Sequence, residues 1–333
     1  VFGLAAISSI MAILWVPLLT NFLYKHKLWK KSAREKAISG EDAPIFNSLH
    51  KEKEVNTPRM GGLLIWVTVV FVTFAFWLTP FNFLSRGQTW LPLFTLVVAS
   101  IVGLVDDILT VGGGGKYIGE GLSLRKRLIV VVLLGLIGSL WFYQKLGWDT
   151  VFIPFLGDVS IGLWYIPLFI TVTVACWSGG VIDGLDGLAG GTFASIFGAF
   201  SIISFSSGKI DLATFCAVVS GALFAFLWFN IPPARFYMGE TGILGLTVVM
   251  SVVAFLTNSV YVLPIIGGLM VVEVLSVIIQ LLSKKFRGKK VFLSTPIHHH
   301  FEALGWPSYK VTMRAWIIGV VLAFIGVAIR LIK

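Results

Sequence analysis

Residues 91–107 read LPLFTLVVASIVGLVDD, a run of fifteen uncharged residues that ends in two adjacent aspartates. An apolar helix of about 20 residues crosses the hydrocarbon core of a bilayer, and nine further segments of this chain have a similar character. The sequence therefore predicts an all-α integral membrane protein with about ten transmembrane helices. The expected spans are residues 3–24, 61–79, 91–110, 127–143, 162–180, 192–206, 212–229, 242–257, 261–281 and 312–331.

The composition of the chain excludes a soluble globular protein. Of its 333 residues, 57% are hydrophobic and only 13% are charged, whereas soluble domains carry about 25% charged residues. No internal repeat or long linker divides the sequence, so we expect a single polytopic membrane domain over residues 1–333. We expect the first apolar segment to remain as a helix, because it is longer than the apolar core of a signal peptide.

The positive charges are concentrated in alternate loops. Of the 26 lysines and arginines, 21 lie in residues 25–60, 111–127, 230–241 and 282–314. Cytoplasmic loops of membrane proteins are enriched in these residues, so the pattern places these loops in the cytoplasm and both termini outside. Topology thus accounts for the net charge of +10 without a nucleic-acid partner. Within residues 144–161, two short apolar runs predict a small hairpin at the outer surface.

Acidic residues lie at the ends of predicted spans. Asp106 and Asp107 end the third span, and adjacent carboxylates repel each other unless a cation lies between them. Asp183 and Asp186 belong to IDGLDGLAGG (182–191), whose glycines allow a ligand to approach main-chain N–H groups closely. Ionisable residues in membrane segments are costly and mark functional sites, so we expect these acids to share one cleft. The alternative is that loop water solvates them.

Glu240 and the histidine-rich sequence PIHHHFEALGW (296–306) complete the set of candidate groups. Glu240 opens the eighth span, where it is either a helix cap or a ligand of Mg²⁺, which prefers oxygen ligands and bridges to phosphates. The adjacent histidines lack the spacing of a zinc site and suit hydrogen bonding to phosphate oxygens. Together with nearby cations, these groups favour a phosphate-handling enzyme over a passive channel.

These motifs resemble those of the phospho-N-acetylmuramoyl-pentapeptide transferases of bacterial cell-wall synthesis, the MraY family within the polyprenyl-phosphate hexosamine-1-phosphate transferases. The resemblance covers nearly the whole chain. The histidine motif separates this family from relatives that use N-acetylglucosamine. The matching stretches are TPRMGG (57–62), VDD (105–107), DGLDGLA (183–189), FLWFN (226–230), Met238-Gly239, VEVLSVIIQ (272–280) and PIHHHFEALGWP (296–307).

The resemblance implies an architecture and a reaction. The architecture is ten transmembrane helices in the bacterial cytoplasmic (inner) membrane, often as a homodimer, with an active-site cleft at the cytoplasmic face. The reaction is transfer of phospho-MurNAc-pentapeptide from UDP-MurNAc-pentapeptide to undecaprenyl phosphate, which gives lipid I and UMP and uses Mg²⁺ as cofactor.

The resemblance also implies roles for individual residues. Asp106 is the base that deprotonates the lipid phosphate, or a nucleophile, and Asp107 supports it. Tyr237 takes the place of a phenylalanine that stacks on uracil. The implied catalytic residues are Asp106, Asp107, Asp183 and His299, and the implied metal ligands are Asp183 and Glu240. The implied substrate contacts are Lys53, Thr57, Asp186, Asn230, Tyr237, Gln280, His298 and His300.

Six positions near these motifs depart from the family pattern implied by the resemblance. Glu240 stands where the family has an aspartate, and Gly180 stands where it has an asparagine. The other four are Ile243 for a serine, Arg127 for a lysine, Arg59 for a threonine and Asn56 for a glycine.

Other functions remain open at this point. One is a transferase of the same fold that uses UDP-GlcNAc or another UDP-sugar. A transporter is disfavoured, because its acids are expected near the middle of the membrane, commonly with repeated halves. A non-catalytic lipid-binding protein is supported only by the substitutions at Gly180 and Glu240.

Overall fold

The computed structural model describes residues 1–31, 55–113 and 121–332. Helices form most of these ranges, and they are numbered here in chain order. They are α1 (Phe2–Lys25), α2 (Gly62–Ala75), α3 (Trp90–Gly112), α4 (Leu124–Leu140), α5 (Tyr165–Ser178), α6 (Leu188–Ser206), α7 (Ile210–Asn230), α8 (Gly239–Leu256), α9 (Leu263–Ile266), α10 (Gly268–Arg287), α11 (Ile297–Ala303) and α12 (Ser308–Leu331).

The described helices confirm an all-α membrane protein. Eight of them are long and apolar enough to cross a bilayer, where α4 is continued by a π-helical turn to Lys145 and α5 by 3-10 turns over Gly162–Ile182. The pair Val260–Ile266 and Gly268–Arg287 is also long and apolar enough, but it is bent by 77° and forms either a broken ninth span or a re-entrant loop. The predicted span 61–79 is shorter than expected. Its helix α2 ends at Ala75, where Thr79 hydrogen-bonds to nearby backbone groups and closes a turn.

The predicted hairpin is also present. Strands β1 (Thr150–Ile153) and β2 (Gly157–Ser160) pair antiparallel. Asn258, in the loop after α8, holds the hairpin in place. Its Oδ1 accepts a hydrogen bond from Phe152 N (3.0 Å), and its Nδ2 donates to Asp158 Oδ1 (2.7 Å). The hairpin is therefore tied to the end of α8.

Helix α8 is the centre of the fold. It packs against α2, α3, α4, α5 and α6, and 94% of its residues are buried. Glycines allow the closest approaches, as small residues commonly do between membrane helices. A Cβ on Gly62 of α2 would overlap the backbone of Gly242, and a Cβ on Gly103 of α3 would overlap the Glu240 carbonyl.

Two cations hold the C-terminal end of α8. Lys209 donates to the carbonyl oxygen of Leu256, and Arg330 donates to that of Thr257 (3.3 Å). These are carbonyls that the helix itself leaves without N–H partners, and a cation at this end complements the helix dipole. Burial and the neighbouring charge of Arg330 lower the pKa of Lys209.

We expect Gly103→Ala to lower the melting temperature in detergent by several degrees. The added methyl group has to displace the backbone of α8, and such overpacking typically costs about 1–3 kcal/mol. Gly198→Ala in α6 is the matched control, because nothing lies within 4 Å of a Cβ at that position. Thermal unfolding of both variants checks the prediction, and equal melting temperatures would contradict the close α3–α8 contact.

Candidate active site

A cleft of about 520 Å³ is formed by α4, α5, α8, α10, α11 and the turn between α5 and α6. It brings together acids, histidines and cations from distant parts of the sequence. Six of the residues predicted to form the site line it, and two arginines and a lysine lie beside them. The six are Asp183, Asp186, Tyr237, Glu240, His298 and His299, and the cations are Lys30, Arg59 and Arg127.

Asp107 is buried behind the cleft and caps α8. Its Oδ2 accepts hydrogen bonds from Thr241 N (2.9 Å) and Thr241 Oγ1 (2.7 Å), and its Oδ1 accepts one from Glu240 N (3.2 Å). The Arg59 Nε lies 3.6 Å from Oδ1. The close contact between Asp107 and the start of α8 requires glycine at residue 239. Gly239 has a φ of +70°, and a Cβ added there would overlap the Asp107 carboxylate. Asp107 therefore fixes the position of Glu240.

Asp106 faces Arg127, which lies in the first turn of α4. Oδ1 of Asp106 accepts a hydrogen bond from Leu122 N (2.5 Å), and Oδ2 lies 2.9 Å from Arg127 Nη2. The same guanidinium pairs through Nη1 with Glu240 Oε1, and its Nε donates to Leu122 O (3.1 Å). Its charge offsets the repulsion between two carboxylates that come from different helices.

The DGLDG turn (183–187) is held from behind by side chains of α7 and α12. Asn230 Oδ1 accepts a hydrogen bond from Gly187 N (2.9 Å), and Trp316 Nε1 donates to Gly187 O (3.0 Å). Thr312 Oγ1 donates to the carbonyl oxygen of Asp186 (3.1 Å). With its backbone held in this way, the turn presents the carboxylates of Asp183 and Asp186 to the cleft.

Asp183 has a carboxyl group suited to proton transfer near neutral pH. Its side chain is partly exposed to the cleft but surrounded by protein. Burial raises its pKa from the ordinary value of 3.8 to about 6. The charge of Arg59 and the Gly239 N–H oppose that rise in pKa, and the negative charges of Asp107 and Asp186 reinforce it.

Two of the three histidines face the cleft, each with a carboxylate partner. His298 Nδ1 lies 2.9 Å from Glu273 Oε2, and His299 Nδ1 lies 2.8 Å from Glu302 Oε2. A carboxylate in this place keeps the proton on Nδ1 and orients the ring. His298 Nε2 is buried beside Gly184 and has no hydrogen-bond partner among the described residues. His298 thus offers a ring nitrogen next to the acidic turn.

Other predicted site residues lie outside the cleft lining. His300 Nδ1 accepts a hydrogen bond from Leu293 N (3.2 Å), and its ring packs against Phe292. Thr57 lies in the segment that leads into α2. Lys53 falls outside the described residues, so its substrate contact stays a prediction.

Asn230 and Gln280 hold loops beside the cleft. Asn230 bonds to Gly187 N, as described, and its Nδ2 donates to Phe236 O (2.9 Å). Gln280 Oε1 accepts from both N–H groups of residues 291–292, and its Nε2 donates to the second carbonyl (3.0 Å). The substrate contacts of both amides stay predictions, and such contacts would compete with these bonds.

Three contacts of the site were not predicted from the sequence: Arg127 with Glu240, His298 with Glu273, and His299 with Glu302. The spacing of His299 and Glu302 places them on one face of a helix, which is a local signal. The other two partners are 25 and 113 residues away in sequence, and no local pattern reveals such pairs.

Four of the departures from the family pattern face each other in two pairs. Arg127 forms its ion pair with Glu240. Gly180 lies against Ile243, where a Cβ on the glycine would overlap the isoleucine Cγ2. At residues 180 and 243, the absent side chain of the glycine thus leaves room for the larger isoleucine.

Comparisons with known proteins place the chain among transferases. The pattern of the Glycosyl transferase family 4 matches residues 89–258. The phospho-N-acetylmuramoyl-pentapeptide-transferase of Chloroflexus aurantiacus is 36% identical over 318 residues, which cover 91% of this chain and 85% of that protein. The enzyme of the same name from Chloroflexus aggregans is 36% identical over 99% of this chain and 89% of its own length. That from Geobacillus sp. strain WCH70 is 35% identical over 97% and 96%.

The chain belongs to the phospho-N-acetylmuramoyl-pentapeptide-transferase family. The family assignment agrees with the resemblance read from its motifs. It also explains why acids, histidines and cations from so many segments meet in one cleft.

The cleft of this transferase is suited to a cation that uses few protein ligands. In the described part of the chain, no group of three or more histidine, cysteine, aspartate or glutamate side chains forms a metal cage. Mg²⁺ usually keeps several waters and binds one or two carboxylates together with substrate phosphates. Asp106 and Glu240 fit such a site, because Asp106 Oδ2 is buried without a hydrogen-bond partner among the described residues.

We expect Asp183→Asn to stabilise the transferase more at about pH 7.5 than at about pH 5. Because the folded pKa of about 6 exceeds 3.8, the folded protein holds this proton more tightly than the unfolded chain. The stability of the unmodified protein therefore falls as pH rises through this window, and asparagine removes the effect. Melting temperatures in detergent measure the difference, with Asp211→Asn as control. A pH-independent difference would contradict the raised pKa.

Proposed function

We propose that this protein transfers phospho-MurNAc-pentapeptide from UDP-MurNAc-pentapeptide to undecaprenyl phosphate, giving lipid I and UMP. The observation that carries the proposal is the meeting of the DGLDG turn, Glu240 and the histidine motif in one cleft. Relatives named phospho-N-acetylmuramoyl-pentapeptide-transferase align with nearly the whole chain, including these segments.

The lining of the cleft suits the two substrates. Its polar and cationic residues suit binding of a nucleoside diphosphate. Its apolar residues suit the lipid chain of the second substrate. The apolar lining includes Leu124, Trp177, Val181, Val274, Val277 and Ile278.

In the proposed reaction, an oxygen of the lipid phosphate attacks the β-phosphorus of the donor. A new P–O bond forms as the bond to the UMP phosphate breaks. The second pKa of a phosphate monoester is about 6, close to that of Asp183, which is also about 6. Asp183 therefore suits a proton-holding role near neutral pH, beside Asp106 as the proposed base or nucleophile. Arg59 and His298 lie beside it to bind phosphate oxygens.

Mg²⁺ is the cofactor we propose for this cleft, with Glu240, Asp106 and Asp183 as the residues that would hold it. When bound, a divalent cation would offset the negative charge that develops on the phosphates during transfer. The chain's own contribution is to position these carboxylates, which Asp107 and Arg127 do by hydrogen bonds and ion pairs.

We further propose that the protein lies in the bacterial cytoplasmic membrane with this cleft facing the cytoplasm. The bias of lysine and arginine toward one set of loops supports that orientation. A homodimer is proposed from the family resemblance.

UMP release by the purified protein tests the proposed function. The assay contains detergent, undecaprenyl phosphate and Mg²⁺, with UDP-MurNAc-pentapeptide and UDP-GlcNAc offered in parallel. We expect turnover only with the first donor. Turnover only with UDP-GlcNAc would show that UDP-GlcNAc is the donor and would leave the proposed phosphoryl transfer unchanged. Absence of UMP from both donors, in folded protein, would contradict the transferase function.

We expect Asp106→Asn to reduce UMP release by at least about 10²-fold, the loss typical of a group that transfers or accepts a proton. The amide also weakens the pair with Arg127. Asp211→Asn, remote from the cleft, is the control and should keep the normal rate. Near-normal turnover by Asp106→Asn would show that Asp106 is neither the base nor the nucleophile.

A further inference from the structure

Arg127 occupies the space between two carboxylates of different helices. Its Nη2 lies 2.9 Å from Asp106 Oδ2, and its Nη1 pairs with Glu240 Oε1. Its Nε donates to Leu122 O (3.1 Å), which fixes the plane of the guanidinium. The planar fork of arginine thus links α3, α4 and α8 at a single point beside the cleft.

The contact with Asp106 is incomplete. Asp106 is 2% exposed, and its Oδ1 has a hydrogen bond from Leu122 N. Its Oδ2 is close to the guanidinium but lacks a hydrogen-bond partner of suitable geometry in the described chain. Among the described residues, Oδ2 is thus held by the ion pair alone, and it can accept a further ligand.

We propose that Arg127 is a displaceable counter-ion, which holds the place between Asp106 and Glu240 until a divalent cation enters. Entry of the cation releases the guanidinium into the cleft, where it binds the phosphates of the substrates. This inference rests on the Mg²⁺-dependent transfer proposed above.

Charge explains why the two cations exclude each other. One guanidinium leaves the pair of carboxylates with a single net negative charge, whereas a divalent cation in the same place neutralises the pair. Both together would bring like charges within a few ångströms of each other in a region of low dielectric constant. Arg127 lines the cleft, and its side chain is 21% exposed, so it has space to turn outward.

The released group is well suited to its second partner. The guanidinium fork binds phosphate through two parallel hydrogen bonds. Cation binding would thus replace Arg127 as the partner of Asp106 and deliver a phosphate-binding side chain to the cleft in the same step. Arg127 acts here as a positioning residue, whose partner differs between the free and the loaded protein.

The test is the stabilisation of the protein by Mg²⁺ alone, without substrates. Melting temperatures are measured in detergent over a series of Mg²⁺ concentrations for the unmodified protein, Arg127→Gln and Lys126→Gln. Lys126 is exposed, and its substitution removes the same charge one residue away. We expect Arg127→Gln to melt lower without Mg²⁺, because two carboxylates lose their partner. The Mg²⁺ concentration that gives half of the maximal rise in its melting temperature is expected to be about tenfold lower than for the unmodified protein. For Lys126→Gln, this concentration is expected to equal that of the unmodified protein.

Two further variants keep the proposal testable if Arg127→Gln does not fold. Arg127→Lys keeps the charge without the fork, and its Mg²⁺ midpoint should fall between those of the unmodified protein and the glutamine variant. Glu240→Gln removes a proposed ligand and should raise the midpoint. Equal midpoints for the Arg127 variants and Lys126→Gln, or no stabilisation by Mg²⁺ in any variant, would overturn the proposal. If the Mg²⁺ midpoint shifts as expected in Arg127→Gln but the unmodified protein releases no UMP, the counter-ion role of Arg127 is supported and the proposed transfer reaction is rejected.

Discussion

An N–H group at the start of a buried helix needs an acceptor, because leaving one unpaired away from water costs about 1–3 kcal/mol. Helix α8 begins in such a place, and the carboxylate of Asp107 accepts hydrogen bonds from the N–H groups of Glu240 and Thr241. The same helix ends at carbonyls that Lys209 and Arg330 satisfy. Negative charge at one end and positive charge at the other match the helix dipole where little water screens it.

The arrangement of the cleft follows from that capped helix. With α8 fixed at its first turn, Glu240 has a defined position, and Arg127 can pair with it and with Asp106 at once. The histidine motif follows the same logic on a smaller scale, because Glu273 orients the imidazole of His298. Carboxylates thus serve two purposes here. Some face the cleft, and others hold its side chains in place from behind.

Local patterns in the sequence predicted most of the fold and part of the site. Apolar segments of membrane-spanning length are local features, so most spans and the hairpin could be read directly. The end of segment 61–79 and the bend within segment 261–281 were not predicted. The candidate acids could be found because charge in an apolar region is conspicuous. Their partners could not, since the pair Arg127–Glu240 depends on how helices pack. Asn230 and Gln280 show a further limit of prediction from sequence. Both side-chain amides bind loop backbone in the structure, and the sequence does not distinguish such an amide from one that binds a ligand.

The contact between Gly180 and Ile243 has a consequence for protein engineering. Stability is often improved by replacing unusual residues with those common among relatives, one position at a time. At residue 180 that approach would fail, because the larger side chain would collide with the methyl group of Ile243. Residues 180 and 243 therefore have to be substituted together. A library that varies one residue at a time will reject substitutions at either position that are tolerated only as a pair.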